Sequence, residues 1–185
     1  MNDEKIIELF FERSEQAIRE LDAKHGRTLR ALSVRILGNP EDAEECVNDA
    51  YLGTWNAIPP ARPDPLLAFV CKIVRNLSLK RYGQNNAAKR CSVYDVAMQE
   101  LEECLASPED IDGALEEREL TAAMEAFLDS LSRENRVIFL RRYWFSDPYA
   151  EIARRVGLTE RNVSVRLTRI RKELKSYLAQ REILP

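Results

Sequence analysis

Arg161, Asn162, Ser164, Val165, Arg166, Thr168, Arg169, Arg171, Lys172 and Lys175 lie within one short stretch of the chain. The chemistry they offer is contact with a nucleic acid. A guanidinium fork pairs bidentately with guanine or phosphate. Asn, Ser and Thr hydrogen-bond bases or phosphate oxygens. From Thr159 to Lys175 there are six basic residues against only Glu160 and Glu173.

A helix is needed to present these groups together. Val163, Leu167, Ile170, Leu174 and Leu178 recur at helical spacing and form its buried side, with Thr159 as its cap. Before it, Asp147 is placed to cap a shorter helix and Pro148 suits that helix's first turn. Ile152, Ala153 and Val156 share a face, and Gly157 ends the segment where a left-handed residue is required. Ala153 and Gly157 are small enough for the two helices to cross closely. The expectation is a helix-turn-helix whose second helix reads DNA. An ordinary hairpin with a solvated charged face is the alternative, and turn spacing, small Ala153 and basic bias together weigh against it.

A second basic surface is expected earlier. From Leu66 to Arg90 there are six basic residues and no acid. The helix from Leu66 to about Tyr82 buries Leu66, Phe69, Val70, Ile73, Val74 and Leu77. Its other side is expected to group Lys72, Arg75, Asn76 and Leu79, with Lys80 beside them. The stiff loop Ile58-Pro59-Pro60-Ala61-Arg62-Pro63-Asp64-Pro65 precedes it. Tyr82 and Phe69 are aromatic faces on which unpaired bases could stack, Phe69 being the more suited to core packing.

A third surface is acidic. Gly38-Asn39-Pro40 stops one helix and starts another, with Glu41, Asp42, Glu44 and Glu45 at its positive end. Asp42, Glu45, Asn48, Asp49 and Leu52 form a stripe along it that dipole complementation alone does not explain, and a partner surface is expected there.

The 185 residues carry a net charge of −3, are 45% hydrophobic and 32% charged, and suit small helical domains. Cys46, Cys71, Cys91 and Cys104 form no CxxC pair, and His25 is the sole histidine. No metal site, cofactor or catalytic residue is expected, and the chain reads as a binding protein rather than an enzyme. No apolar run approaches membrane-spanning length, so a cytoplasmic location is expected. Residues 4–37 form a core-building helical pair in which Gly26 either breaks or merely weakens the helix. From Ser92 to Glu117 there are nine acidic residues and no basic one, with Ser107-Pro108 and Gly113 as breakers. The division expected is therefore a domain over 1–91, an acidic, partly helical linker over 92–113 and a domain over 114–185. In the last, a helix over about 112–131 buries Leu115, Leu120, Met124, Phe127 and Leu128. Ser132 caps the next, with Val137, Ile138, Leu140 and Tyr143 inward.

These motifs, in this order, resemble the sigma-70 family of bacterial RNA polymerase sigma factors, specifically the small two-domain extracytoplasmic-function (ECF) type. Asn39-Pro40-Glu41-Asp42-Ala43-Glu44-Glu45 leading to Ala50-Tyr51-Leu52-x-x-Trp55 is similar to region 2.2. Phe69-x-x-Lys72-Ile73-x-Arg75-Asn76-Leu77 is similar to the promoter-melting helix. Leu131-x-x-Glu134-x-Arg136-x-x-Phe139-x-x-Arg142-Tyr143, then Glu151-Ile152-Ala153 and Asn162-Val163, resembles region 4.

The resemblance implies an all-α fold of two small domains that binds core RNA polymerase and directs it to promoter DNA. It implies polymerase contacts at Asp42, Glu45, Asn48, Asp49, Leu52 and Trp55. It implies contacts with the melted −10 strand at Arg62, Lys72, Arg75, Asn76, Lys80 and Arg81. Contacts with the −35 duplex fall to Arg161, Asn162, Ser164, Val165, Arg166, Thr168, Arg169 and Lys172. An anti-sigma factor joins the partners to be tested for. Pro59-Pro60-Ala61-Arg62 stands where the family's base-capture loop often has an aromatic residue and a glycine. Ser164 replaces a basic residue present in many relatives. Rival readings are a stand-alone dimeric helix-turn-helix regulator, a metal-dependent nuclease and a helical adaptor. The nuclease needs carboxylates facing a basic groove, and residues 66–90 contain none.

Overall fold

The computed structural model of the chain describes residues 1–85, 92–105 and 114–181. Every regular element among them is an α-helix: α1 (Asp3–Phe11), α2 (Gln16–Leu37), α3 (Pro40–Ala57), α4 (Leu66–Asn85), α5 (Val93–Leu105), α6 (Ala114–Ser130), α7 (Arg133–Tyr143), α8 (Tyr149–Val156) and α9 (Glu160–Ala179). The chain divides into two units, Met1–Tyr94 and Asp95–Pro185. No helix among the described residues is long and apolar enough to cross a membrane. Cys91, Ser107-Pro108, Gly113, the expected helix start at Asp112 and the side chain of Leu115 lie outside the described residues.

Local chemistry sets the junction between α2 and α3 in the first unit. Asn39 accepts the N–H groups of Glu41 and Asp42 at 2.8 and 3.0 Å, and Pro40 follows at the first helical position. Gly38, at φ 69°, ends α2 in the left-handed region. α2 runs straight through Gly26, settling what the sequence left open. A Cβ at Gly26 would strike the ends of two flexible side chains, the Asp22 carboxylate and the Arg30 guanidinium, which would have to shift. Those two groups tie α2 to α3: Asp22 accepts Arg30 Nη2 at 2.7 Å and the Tyr51 hydroxyl at 2.6 Å, while Arg30 Nε donates to Glu44 at 2.8 Å. α2, α3 and α4 pack on one another around Leu21, Leu29, Leu32, Ile36, Val47, Val70 and Val74, and α1 adds Ile6 and Phe10. The hydroxyls of Ser33 and Ser78, both fully buried, satisfy each other at 2.8 Å between α2 and α4.

In the second unit, α7, α8 and α9 pack on one another and α6 reaches α9. Val163, Leu167, Ile170, Leu174 and Leu178 are at most 1% exposed. Burial of each such side chain contributes about 1.5–3 kcal/mol, far more than any surface pair, so packing fixes the rotation of α9 about its axis. Gly157, at φ 69°, takes the left-handed position that the turn requires, and Leu158 N–H closes on Ala153 O at 3.0 Å. Thr159 then caps α9 through Asn162 N–H at 3.2 Å.

Two expectations fail in this unit. Val137 is 40% exposed, and the buried stripe of α7 is Ile138, Phe139, Arg142 and Tyr143. The Arg142 guanidinium finds the half-buried carboxylate of Glu100, so it turns inward and carries Val137 out. Asp147 does not cap α8. It is fully buried and paired with Arg141, Pro148 takes the cap position, and α8 starts at Tyr149. The stretch expected as an acidic tether begins with α5, whose Ala97 is fully buried in the second core with Met98 and Leu101 packed against it.

Candidate nucleic-acid and polymerase interfaces

With its apolar stripe locked inward, α9 turns Arg161, Asn162, Val165, Arg169 and Lys172 to solvent, Val165 at 42% exposure. α8 lies behind it through Ile152 and Ala153. Ser164, Arg166 and Thr168 are half-buried, and the side chains of Arg166 and Thr168 are already engaged. Thr168 donates its hydroxyl to Ser164 O at 3.0 Å, and Arg166 Nη1 donates to Glu134 at 2.7 Å. Arg171, drawn on the solvent side from sequence, turns back toward the core and donates to the Tyr143 hydroxyl at 2.8 Å. Burial raises the Tyr143 hydroxyl to about 12, the Arg171 bond opposing that rise. The result is a helix presenting one exposed cationic and amide face.

On α4, Lys72, Asn76 and Lys80 are exposed and fall four residues apart, forming one stripe. Arg75 does not join them. It is 9% exposed, with its guanidinium 5.8 Å from the ring centre of Tyr94, and burial lowers its pKa. Arg81 is also not a free cation, since it bonds Glu45 at 2.6 Å and Asp42 at 3.2 Å. It thereby joins a residue expected at DNA to two expected at polymerase. Tyr82 is half-buried, its ring edge-on to Tyr94 at 5.4 Å, and Phe69 is half-buried too. Arg62 is exposed and lies 4.2 Å over the Phe11 ring. Beside it opens a cleft of about 310 Å³ lined by Arg62, Pro63, Asp64 and the α1 residues Asp3, Glu4 and Glu8.

On α3, Glu45, Asn48, Asp49 and Leu52 form an outward stripe, Leu52 at 59% exposure, with Asp42 half-buried at its start. Trp55 is set apart from them. It is half-buried, edge-on to Phe10 at 6.1 Å, with Arg13 5.5 Å from its ring. Among the described residues no group of His, Cys, Asp and Glu could hold a metal ion.

Sequence reasoning missed Glu100, the burial of Arg142 and the Phe11–Arg62 stack. The one available signal was Arg141-Arg142 directly following the apolar run 137–140.

Residues 21–87 match the model of sigma-70 region 2, and residues 121–174 match that of sigma-70 region 4. The chain belongs to the sigma-70 family. This sigma-70 family chain is 27% identical over 164 residues to the ECF RNA polymerase sigma factor SigE of Mycolicibacterium smegmatis (strain ATCC 700084 / mc(2)155). That similarity covers 87% of the chain and 61% of SigE, so the chain spans about three fifths of the relative's length. It places the sigma-70 family chain in the ECF type. Among solved structures, CnrH in complex with the cytosolic domain of CnrY is 20% identical, with 96% of this chain and 97% of that one covered and a TM-score of 0.45. The exposed residues of α9 from Arg161 to Lys172 and the exposed stripes of α3 and α4 fall inside the two matched segments, whereas α5 falls outside both.

Proposed function

We propose that the chain is a sigma initiation factor that binds core RNA polymerase and directs it to specific promoters. The observation that carries this is one chain in which a region 2 segment precedes a region 4 segment whose α9 presents Arg161, Asn162, Val165, Arg169 and Lys172 outward. In this reading α9 enters the major groove of the −35 element. Arg169 and Asn162 read base edges, while Arg161 and Lys172 hold phosphates.

The first unit serves the −10 element after melting. Lys72, Asn76 and Lys80 on α4 follow the backbone of one strand, and Arg62 flanks the unpaired bases. Extruding a base costs a few kcal/mol, so the free chain binds promoters weakly and polymerase supplies the remaining contacts. The stripe of Glu45, Asn48, Asp49 and Leu52 is the polymerase-docking surface, and the site of action is the cytoplasm.

Run-off transcription with core polymerase on a promoter library tests this. Transcripts that need the chain and share upstream sequence elements are the expected result. No promoter-specific transcription, together with saturation of a duplex site by a dimer of the chain alone, would replace the reading with a stand-alone regulator.

A further inference from the structure

We propose that Glu100 sets the DNA specificity of the second unit by holding Arg171, a cation of the recognition helix, away from duplex phosphate. The proposal rests on the reading of α9 as the duplex-binding helix. Glu100 Oε1 accepts Arg142 Nη2 at 2.6 Å, and Oε2 accepts Arg142 Nε at 3.1 Å. The same Oε2 accepts Arg171 Nη1 at 3.4 Å. Arg171 also donates to the Tyr143 hydroxyl at 2.8 Å and to Thr168 Oγ1 at 3.3 Å. One carboxylate thus sits between two guanidinium groups, on a helix that neither family segment contains.

The two cations are not equivalent. Arg142 is 3% exposed and also donates to Asp147 O at 3.1 Å, so it stays in the core. Arg171 lies at the edge of the exposed face, its side chain 16% exposed, next to Lys172 and one turn from Lys175. Without the carboxylate, two like charges would face each other in a partly dry space, and repulsion at low dielectric expels the one that water can reach. Arg171 would then swing outward and add a phosphate contact to those of Lys172 and Arg161. Phosphate contacts carry no sequence information and raise binding to every non-promoter site. Neutralising one leaves a larger share of affinity to base-reading residues. Ala97, fully buried, with Met98 and Leu101 packed beside it, keeps α5 in place to do this.

The test uses the full chain and a mixed-sequence duplex, with affinity followed across salt concentration. Glu100→Gln is expected to bind several-fold more tightly at low salt, with the slope of log K against log salt steeper by about 1. Arg171→Gln alone is expected to leave the slope unchanged, and adding it to Glu100→Gln is expected to cancel the gain. Glu102→Gln removes an equal charge from an exposed position of α5 and is expected to leave the slope alone. A slope lowered by about 1 in Arg171→Gln alone would overturn the proposal, because Arg171 would already be on phosphate. So would an unchanged slope in a Glu100→Gln chain that melts as a folded protein, or an equal effect from Glu102→Gln. A wild-type chain that binds no duplex at low salt would overturn the reading of α9 itself.

Discussion

Arg141 places both Nε and Nη2 on a single oxygen of Asp147, a side chain with no exposed surface. The pair closes the corner between α7 and α8, and the same guanidinium lies 4.5 Å from the ring centre of Phe145. Removing one partner of a buried ion pair costs about 3–5 kcal/mol, whereas replacing both with apolar groups is often neutral or stabilising. Arg141→Met is therefore expected to destabilise the second unit by about 3 kcal/mol, and Arg141→Met with Asp147→Leu to regain most of that loss. Denaturant unfolding of the three chains measures it. A double variant no more stable than the single would show that the ion pair itself, not its uncompensated remnant, holds the corner.

Alkaline pH should loosen the same unit. Burial raises the Tyr143 hydroxyl from 10.0 to about 12, so the folded form holds its proton more tightly than the unfolded one. Its contribution is complete below pH 10 and is lost as pH climbs through about 12, at up to about 1.4 kcal/mol per unit. Unfolding midpoints across this window should fall, and Tyr143→Phe should flatten the fall. An equally steep decline in Tyr143→Phe would assign the effect to other groups.

Leu52 stands 59% exposed among Glu45, Asn48 and Asp49. Leu52→Asp is expected to weaken core polymerase binding at least about tenfold, because docking would bury an unpaired carboxylate. Stability should fall by only about 0.5–1 kcal/mol, the propensity and like-charge cost of an exposed Asp on α3 near Asp49. Titration with labelled core enzyme provides the measurement, and unaltered affinity would remove α3 from the docking surface.

Arg169 and Lys172 should fail differently. Arg169→Ala is expected to cost roughly 1–3 kcal/mol on the preferred duplex and to relax preference at one base pair. Lys172→Ala should weaken all sequences alike and lower the salt slope by about 1. Competition binding against a randomised −35 duplex separates the two, and identical profiles would contradict the division of roles.

Helix boundaries were legible where the cause is local. Asn39, Ser132 and Thr159 each bond an N–H two or three residues ahead, and Gly157 takes a left-handed backbone within its own turn. What escaped depends on partners far along the chain. Arg75 sits under Tyr94, Arg81 is drawn to Glu45 and Asp42, and Arg142 turns inward for Glu100. Helical spacing assigns a charged residue to solvent by default, and it cannot see a carboxylate or a ring brought there by another helix. The same limit placed Val137 inside and made Asp147 a cap.

The pairing of α7 with α8 and of α8 with α9 also bears on how quickly the chain takes shape. Each pairing joins helices that are neighbours in sequence, so closing them ties up only short loops and little chain entropy. Domains built from such local contacts fold on the microsecond-to-millisecond scale. Once its residues have left the ribosome, α9 should therefore reach its final pose within milliseconds, far faster than the roughly 5–20 residues per second at which the chain itself is made.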